Sequence, residues 1–179
     1  MLLKFKQLIS GTLILLVITT LSTTKIFAQP LTKNKALSQL FDNYYEERLK
    51  LFPLEATSIG DNRYNDLLPN DGSAQYRKQL HEFYLKYKNL LAGYKRGSLN
   101  ETDKISYDIL KDILNKSLEA EKLHPEYMPF AQFSSLPLTI GKLGSGKGNQ
   151  PFTTVQDYEN WVKRMTAFST WTDTSIANF

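Results

Sequence analysis

The stretch from Phe41 to Pro69 places the strongest limits on how this chain can fold. An aromatic-rich amphipathic segment runs into Pro53, which cannot continue a helix but suits the first turn of a new one. Gly60 follows, and glycine is the residue that most readily adopts the left-handed conformation at a helix C-terminus. The spacing predicts a helix over 36–51, a short helix over 53–59 and a polar corner directly after it.

Two further helices are predicted after the turn sequence Pro69-Asn70-Asp71-Gly72. Ser73 is placed to cap a helix that ends near Leu91, and Asn100 to cap one that ends near Leu123. The second of these has isoleucines and leucines at helical spacing. They form two adjoining apolar ridges: Ile105, Ile109, Ile113, Leu110, Leu114 and Leu118.

The region from Pro125 to Pro151 differs in character, with four prolines and four glycines in a short stretch. We expect a long irregular loop here, with Leu136 to Ile140 as a possible short strand. Thr153 followed by Gln156 predicts a capping box that starts a last helix, and Ser169 is placed to cap a further segment. Because strand signals are weak and no repeat is present, the predicted fold class is all-α.

The N-terminus has the pattern of a secretory signal peptide. Lys4 and Lys6 precede an uncharged apolar segment, Leu8 to Leu21, and a polar stretch ends at Ala28. Roughly 14 apolar residues are fewer than the ~20 that span a bilayer. We therefore expect residues 1–28 to be a cleaved signal peptide rather than a stable membrane anchor. The protein would be exported, to the periplasm or outside the cell.

Charge and cysteine content exclude other classes. The chain has 22 basic and 18 acidic residues, and the basic count falls to 19 without the predicted signal peptide. The mature chain is then nearly neutral and lacks the basic surface that nucleic-acid binding requires. The absence of cysteine excludes a disulfide framework, a thiol nucleophile and a lipid anchor attached to cysteine.

Sequences that approach known catalytic motifs are incomplete. The segment from Gly141 to Gly148 nearly matches a phosphate-binding loop, but glycine occupies the position of the magnesium-binding hydroxyl. His81-Glu82 begins like the HExxH zinc motif, yet Leu85 stands where the second histidine belongs. No serine lies in a nucleophile elbow. We predict no catalytic residue, no metal ligand and no cofactor in this chain.

One polar cluster remains as a candidate site: Asp61, Arg63, Tyr64 and Asp66. Arginine can form a bidentate pair with a carboxylate, which would fix the corner between two helices. The same cluster could instead contact the carboxylate of a substrate in a larger protein. We expect the structural role and keep the binding role as the alternative.

Several pieces of the sequence, in order, resemble the N-terminal portion of the bacterial DUF885 family. They are YY in the first helix, PLEAT, GDNRYNDLLP, ISYDIL and PFTTVQDYENWVKRM, and the similarity spans about Leu37 to Phe179. The resemblance implies a larger all-helical fold similar to zinc metallopeptidases, with an HExxH-type helix and an acidic ligand further downstream. No position here matches those ligands, so zinc is expected only in a full-length relative.

Two hypotheses of function follow. In the first, residues 29–179 are the truncated, catalytically incomplete N-terminal segment of an exported zinc-dependent peptidase-like protein, because the apolar pattern of the last helix is unfinished at Phe179. Its partner would be the missing C-terminal catalytic part, and its substrate a peptide. In the second, the chain is a stand-alone exported helical module that binds a peptide, a glycan or a partner protein.

Overall fold

A computed structural model describes residues 32–179, and the predicted signal peptide lies outside this range. The described chain is all-α, with no strand in residues 32–179, as the sequence predicts. None of its helices combines the length and apolar character needed to cross a bilayer. The helices are α1 (Lys35–Leu51), α2 (Pro53–Ser58), α3 (Ala74–Ala92), α4 (Glu101–Ala120), α5 (Leu136–Lys142) and α6 (Val155–Asn178).

The main core lies between α1, α3 and α4, where α3 and α4 form an antiparallel hairpin. Capping side chains define both helices of the hairpin as predicted. The Ser73 side chain accepts a hydrogen bond from the backbone N–H of Tyr76, and the Asn100 side chain accepts one from the backbone N–H of Asp103. The buried residues follow helical spacing: Leu37, Leu40, Tyr44, Tyr76, Phe83, Tyr84, Tyr87, Leu91, Tyr107, Leu110 and Leu114.

Aromatic rings form the centre of this core. Tyr44 of α1 stacks on Phe83 of α3, with ring centroids 5.3 Å apart, and meets Tyr87 edge-on at 5.1 Å. Phe83 also meets Tyr87 edge-on at 5.0 Å. Edge-on and offset pairs of this kind add to the stabilisation from buried apolar area. In a chain without cysteine, this packing supplies the cohesion between α1 and α3.

The predicted breaks at Pro53 and Gly60 are confirmed. Pro53 begins α2 directly after α1, and Gly60 has a φ of 83° just past the end of α2. The polypeptide then turns through a 3₁₀ turn, Asn62–Tyr64, and an extended linker to α3. Helix α6 lies against this linker, so residues far apart in sequence meet there.

The prediction of a long irregular loop over 125–151 is wrong in part. The region contains a 3₁₀ turn at Pro125–Tyr127, helix α5 and a helical turn at Leu143–Lys147 that is interrupted at Gly146, where φ is 70°. The suggested strand at Leu136 to Ile140 is also wrong. Pro137 lies in the first turn of α5, where its fixed φ favours a helix and its missing N–H costs nothing. The glycine-rich sequence is therefore largely helical.

The start of the last helix is one residue later than predicted. The capping box joins Thr154 and Asp157, not Thr153 and Gln156. The Asp157 carboxylate accepts the backbone N–H groups of both Thr153 and Thr154, and this satisfies donors that a helix start leaves free. The proposed second segment at Ser169 is wrong, because α6 is continuous from Val155 to Asn178.

The two apolar ridges of α4 have different environments. Leu110 and Leu114 are buried against α1 and α3. Ile105, Ile109 and Ile113 lie on the other ridge and are 61%, 55% and 40% exposed. The sequence pattern identifies both ridges, but only the packing of the hairpin determines which one faces the core.

Candidate functional site

The predicted corner brings together three of its four residues. The Arg63 guanidinium donates to the Asp61 carboxylate, with Nη2 2.6 Å from Oδ2, and to Glu46 of α1, with Nη1 2.8 Å from Oε2. It also lies over the Tyr64 ring, 5.3 Å from the centroid. These contacts join the corner to α1, while the structural role expected from the sequence and the alternative binding role both stay predictions.

Electrostatics in the corner follow from these hydrogen bonds. Those with Asp61, and then with Glu46, raise the pKa of Arg63, while hydrogen bonds from Arg63 lower the pKa of Asp61. Arg63 is about half exposed, so water screens the pair and its contribution to stability is small. Asp66 lies apart from this group, with its Oδ2 3.8 Å from Nζ of Lys163 on α6.

Arg164 of α6 is the residue that sequence reasoning missed. Its side chain is fully buried, and it donates to the carbonyl oxygens of Leu67 and Tyr64 at 3.0 and 2.9 Å. It also donates to Oγ1 of Thr57 at 3.1 Å and Oε1 of Gln150 at 2.5 Å. Burial lowers the pKa of Arg164 to about 10.

The Arg164 contacts involve neutral acceptors, and no carboxylate lies within salt-bridge distance among the residues described. The guanidinium therefore acts as a connector between α6, α2 and the linker rather than as half of an ion pair. A sequence signal does exist: Arg164, Trp171 and Ser175 share one face of α6, and all three are buried. An isolated arginine on an amphipathic helix nevertheless resembles a surface residue.

A cleft of about 910 Å³ opens between α2, the linker before α3, α3, the end of α4, the Pro125–Tyr127 turn, the start of α5 and α6, and none of the four predicted corner residues lines it. This volume lies in the range of small-molecule binding sites. Much of its wall is apolar and aromatic, with Phe52, Leu54, Leu68, Leu80, Tyr84 and Trp171 among the lining side chains. The sequence did not indicate this cleft, because its walls come from segments that are spread along the described chain.

Both histidines of the chain line this cleft, and each contacts a glutamate. Nδ1 of His81 lies 2.6 Å from Oε2 of Glu121, and Nδ1 of His124 lies 3.1 Å from Oε1 of Glu126. Nε of Arg77 lies 3.5 Å from the same oxygen of Glu126. The cleft thus combines an apolar wall with two histidine–glutamate pairs.

Glu126 is buried, with 5% of its side chain exposed. Burial alone would raise its pKa. The hydrogen bond with His124, a backbone hydrogen bond and the charge of Arg77 outweigh that effect, so the pKa lies below its usual value. Glu126 is therefore a carboxylate at neutral pH.

Two hydrogen bonds hold the cleft walls in place. The Tyr76 hydroxyl donates to the carbonyl oxygen of Leu51 at 2.6 Å, and burial raises the pKa of Tyr76. Nε1 of Trp171 donates to Oδ1 of Asp71 at 2.6 Å. The first bond ties α3 to the end of α1, and the second ties α6 to the linker before α3.

The donor set does not fit a zinc site. Within residues 32–179, no group of three or more histidine, cysteine, aspartate or glutamate side chains is placed to hold a metal ion. A catalytic zinc site needs three protein ligands and an open position.

Comparison with known proteins identifies the family. The profile of a family described as "Bacterial protein of unknown function (DUF885)" matches residues 53–179. The chain belongs to the DUF885 family. The matched region contains α2 to α6, and so includes Arg63, Arg164 and the whole cleft wall that these helices form. No curated protein and no solved structure matches this DUF885 chain.

Proposed function

We propose that this DUF885 chain is the N-terminal helical part of an exported, zinc-dependent peptidase-like protein. In this role it supplies a wall of the substrate cleft and a docking surface for the catalytic part. The metal and the catalytic groups belong to that other part. The observation that carries the proposal is the large amount of apolar side chain that the described helices leave exposed.

Rows of exposed apolar side chains lie on helices α4 and α6. On α4 they form the ridge of Ile105, Ile109 and Ile113. On α6, Val155 and Val162 are 77% and 62% exposed, and Tyr158 between them is 56% exposed. Single exposed apolar residues are common, whereas rows along a helix are typical of surfaces that another protein segment covers. We assign the catalytic part of the same protein as that covering segment.

Export is part of the same proposal. It is supported by the charged start and the uncharged apolar segment of residues 1–28. The periplasm and the extracellular space both remain compatible with these features.

The DNA sequence past codon 179, translated in all three frames, tests this proposal. We expect a helical continuation that encodes an HExxH motif. Co-expressed with this chain, the continuation should form a complex that binds zinc and hydrolyses peptides. Ile109→Lys should weaken that complex without changing the stability of the chain, and Lys111→Glu, on the same helix, serves as the charge-change control. Unrelated sequence downstream would refute the proposal.

The cleft favours a second candidate, the stand-alone helical module that binds a peptide, glycan or protein. Its volume, aromatic wall and enclosed polar groups are those of a binding site that needs no catalytic part. This alternative predicts a monomeric, cooperatively folding product with the ligand bound in the cleft. Size-exclusion chromatography with light scattering distinguishes it from a chain that aggregates through its uncovered apolar rows.

A further inference from the structure

We propose that the cleft binds a primary ammonium group carried on an apolar, peptide-like ligand. The choice of a peptide rests on the peptide-handling role proposed above, while the ammonium specificity rests on the cleft itself. The cleft places hydrogen-bond acceptors without protein partners inside an apolar wall. This arrangement selects a ligand that is apolar along its length and donates hydrogen bonds at one end.

The first observation is the state of Glu126 and Ser175. Oε2 of Glu126 and Oγ of Ser175 are buried, and neither has a hydrogen-bond partner among the residues described. Both residues line the cleft, one from the Pro125–Tyr127 turn and one from α6. A buried acceptor without a partner is costly, so such atoms usually have a specific partner or role.

A third acceptor lies in the same cleft. Oε1 of Glu121 is buried and has no partner in the described chain, although Oε2 is held by His81. In each histidine–glutamate pair, one carboxylate oxygen faces the imidazole and the other has no hydrogen-bond partner among residues 32–179. The histidine fixes the orientation of the carboxylate and leaves its second oxygen for a donor from outside the chain.

The charges of the cleft favour a cation. Its wall includes the carboxylates of Glu55, Asp71, Glu121 and Glu126 against the cationic groups of Arg77 and Lys78. Two donor nitrogens of Arg77 are already engaged, with Nη1 2.5 Å from the carbonyl oxygen of Gly72 and Nε 3.5 Å from Oε1 of Glu126. A phosphate or carboxylate ligand would therefore meet repulsion, whereas a cation would not.

Ammonium fits these acceptors better than other cations. A primary ammonium group has three N–H donors on a compact centre and no acceptor. Tyr84 and Trp171 are among the residues that line the cleft, and aromatic rings attract cations and also cover an apolar ligand body. In a peptide, this group occurs at the N-terminus and on lysine side chains, and the two sources can be told apart by acetylation.

The test uses the purified full chain and isothermal titration calorimetry with three probes. Leucyl-phenylalaninamide carries an N-terminal amine, its N-acetyl form carries none, and N-acetyl-phenylalanyl-lysinamide carries only the lysine amine. We expect acetylation of the first probe to weaken binding about ten- to hundredfold, as expected when a hydrogen bond to a charged group is lost. Binding of the third probe would identify the lysine side chain as an accepted source.

Two variants locate the site. Glu126→Gln should weaken binding of the amine probe about tenfold or more, and Glu121→Gln, at the more exposed end of α4, provides a second measurement if the first variant unfolds. Glu101→Gln is the matched control, because its carboxylate is 87% exposed and outside the cleft. Equal affinity for the amine and its acetylated form, or no binding at millimolar concentrations, would overturn the inference. Neither result depends on a catalytic part, so the proposed function would still be tested separately by the DNA sequence downstream.

Discussion

Arg164 shows at the scale of one residue how this chain joins its distant parts. A guanidinium has five N–H donors in a rigid plane, and here they reach acceptors on α2, the linker and the segment before α6. The charge is separated from water and has no carboxylate within salt-bridge distance among the described residues, so its hydrogen bonds provide much of the compensation, with a contribution from the charge of Asp66. Such a residue stabilises the fold only while every acceptor stays in place.

Replacing Arg164 by methionine should therefore lower the free energy of unfolding by about 3 kcal/mol, because buried carbonyl and side-chain acceptors lose their donor. Urea unfolding followed by circular dichroism measures the change. Lys163→Met is the matched control: the neighbouring side chain is 61% exposed, and the expected change is within about 0.5 kcal/mol. Equal effects of the two substitutions would contradict the role assigned to Arg164.

Gly144 illustrates a different constraint on a single residue. A Cβ at this position would lie 2.8 Å from Cζ2 of Trp161, whereas one at Gly141 would meet nothing within 4 Å. The glycine is required by the close approach of the indole ring rather than by an unusual backbone conformation.

We expect Gly144→Ala to destabilise the chain by about 1 kcal/mol, because Trp161 must move to admit the methyl group. Gly141→Ala lies in α5 and should be neutral or slightly stabilising, since alanine favours a helix. Thermal unfolding of both variants, with Trp fluorescence as a probe of the indole environment, tests the difference. A Gly141→Ala variant less stable than the original chain would contradict this expectation, because helix propensity would then not determine the effect of the substitution.

At the scale of an element, helix α4 shows that an amphipathic pattern does not determine which apolar ridge packs into the core. Its leucine ridge packs into the core, while its isoleucine ridge faces outward. Both ridges are equally apolar, so hydrophobic periodicity predicts the helix but not the direction in which it faces. The distinction arises only when α3 supplies aromatic rings opposite the leucines.

Leu110→Ala and Ile109→Ala make this distinction measurable. The first should reduce the free energy of unfolding by about 2–4 kcal/mol, because it creates a cavity in the core. The second should change it by no more than about 0.5 kcal/mol in the isolated chain. Urea titrations of the two variants give both values. Comparable losses would mean that the isoleucine ridge is covered in solution, for example by a second copy.

Sequence reasoning was most successful where local chemistry determines structure. Pro53, Gly60, Ser73 and Asn100 mark helix boundaries because each has a direct effect on its own backbone. The predicted start of α6 was wrong by one residue. Thr153 and Thr154 could both cap the helix, and the hydrogen bonds of the Asp157 carboxylate make Thr154 the capping residue. Sequence reasoning could not find Arg164 or the cleft, because both depend on contacts between segments about a hundred residues apart.

At the scale of the whole molecule, several carboxylates connect stability to pH. The pKa values of Asp61, Asp108, Glu126 and Asp157 lie below those of the unfolded chain. Groups with lowered values bind fewer protons when folded, so they stabilise the fold above the unfolded pKa and lose this contribution as the pH falls through the folded pKa.

We expect Tm to change little between about pH 7 and pH 5, and to fall below about pH 4.5, the ordinary value for glutamate. Glu126→Gln should reduce the steepness of this fall, because it removes a buried carboxylate whose hydrogen bonds depend on its charge. Asp108→Asn is the exposed comparison and should have a smaller effect. Differential scanning calorimetry over this range gives the profile, and a Tm that rises on acidification would contradict it.

The attachment of α6 to the linker before α3 also affects when the fold can form. Asn70 donates to Thr174 and Asn178 donates to the carbonyl oxygen of Gly72, across 104 and 106 positions of the chain. During synthesis, the linker cannot form these hydrogen bonds, and Thr57 cannot form its hydrogen bond with Arg164, until α6 has left the ribosome. Formation of contacts between such distant positions is slow. The part of the fold that α6 completes therefore forms only after α6 has been made, and a chain that is incompletely folded at that stage suits the passage across a membrane proposed for this protein.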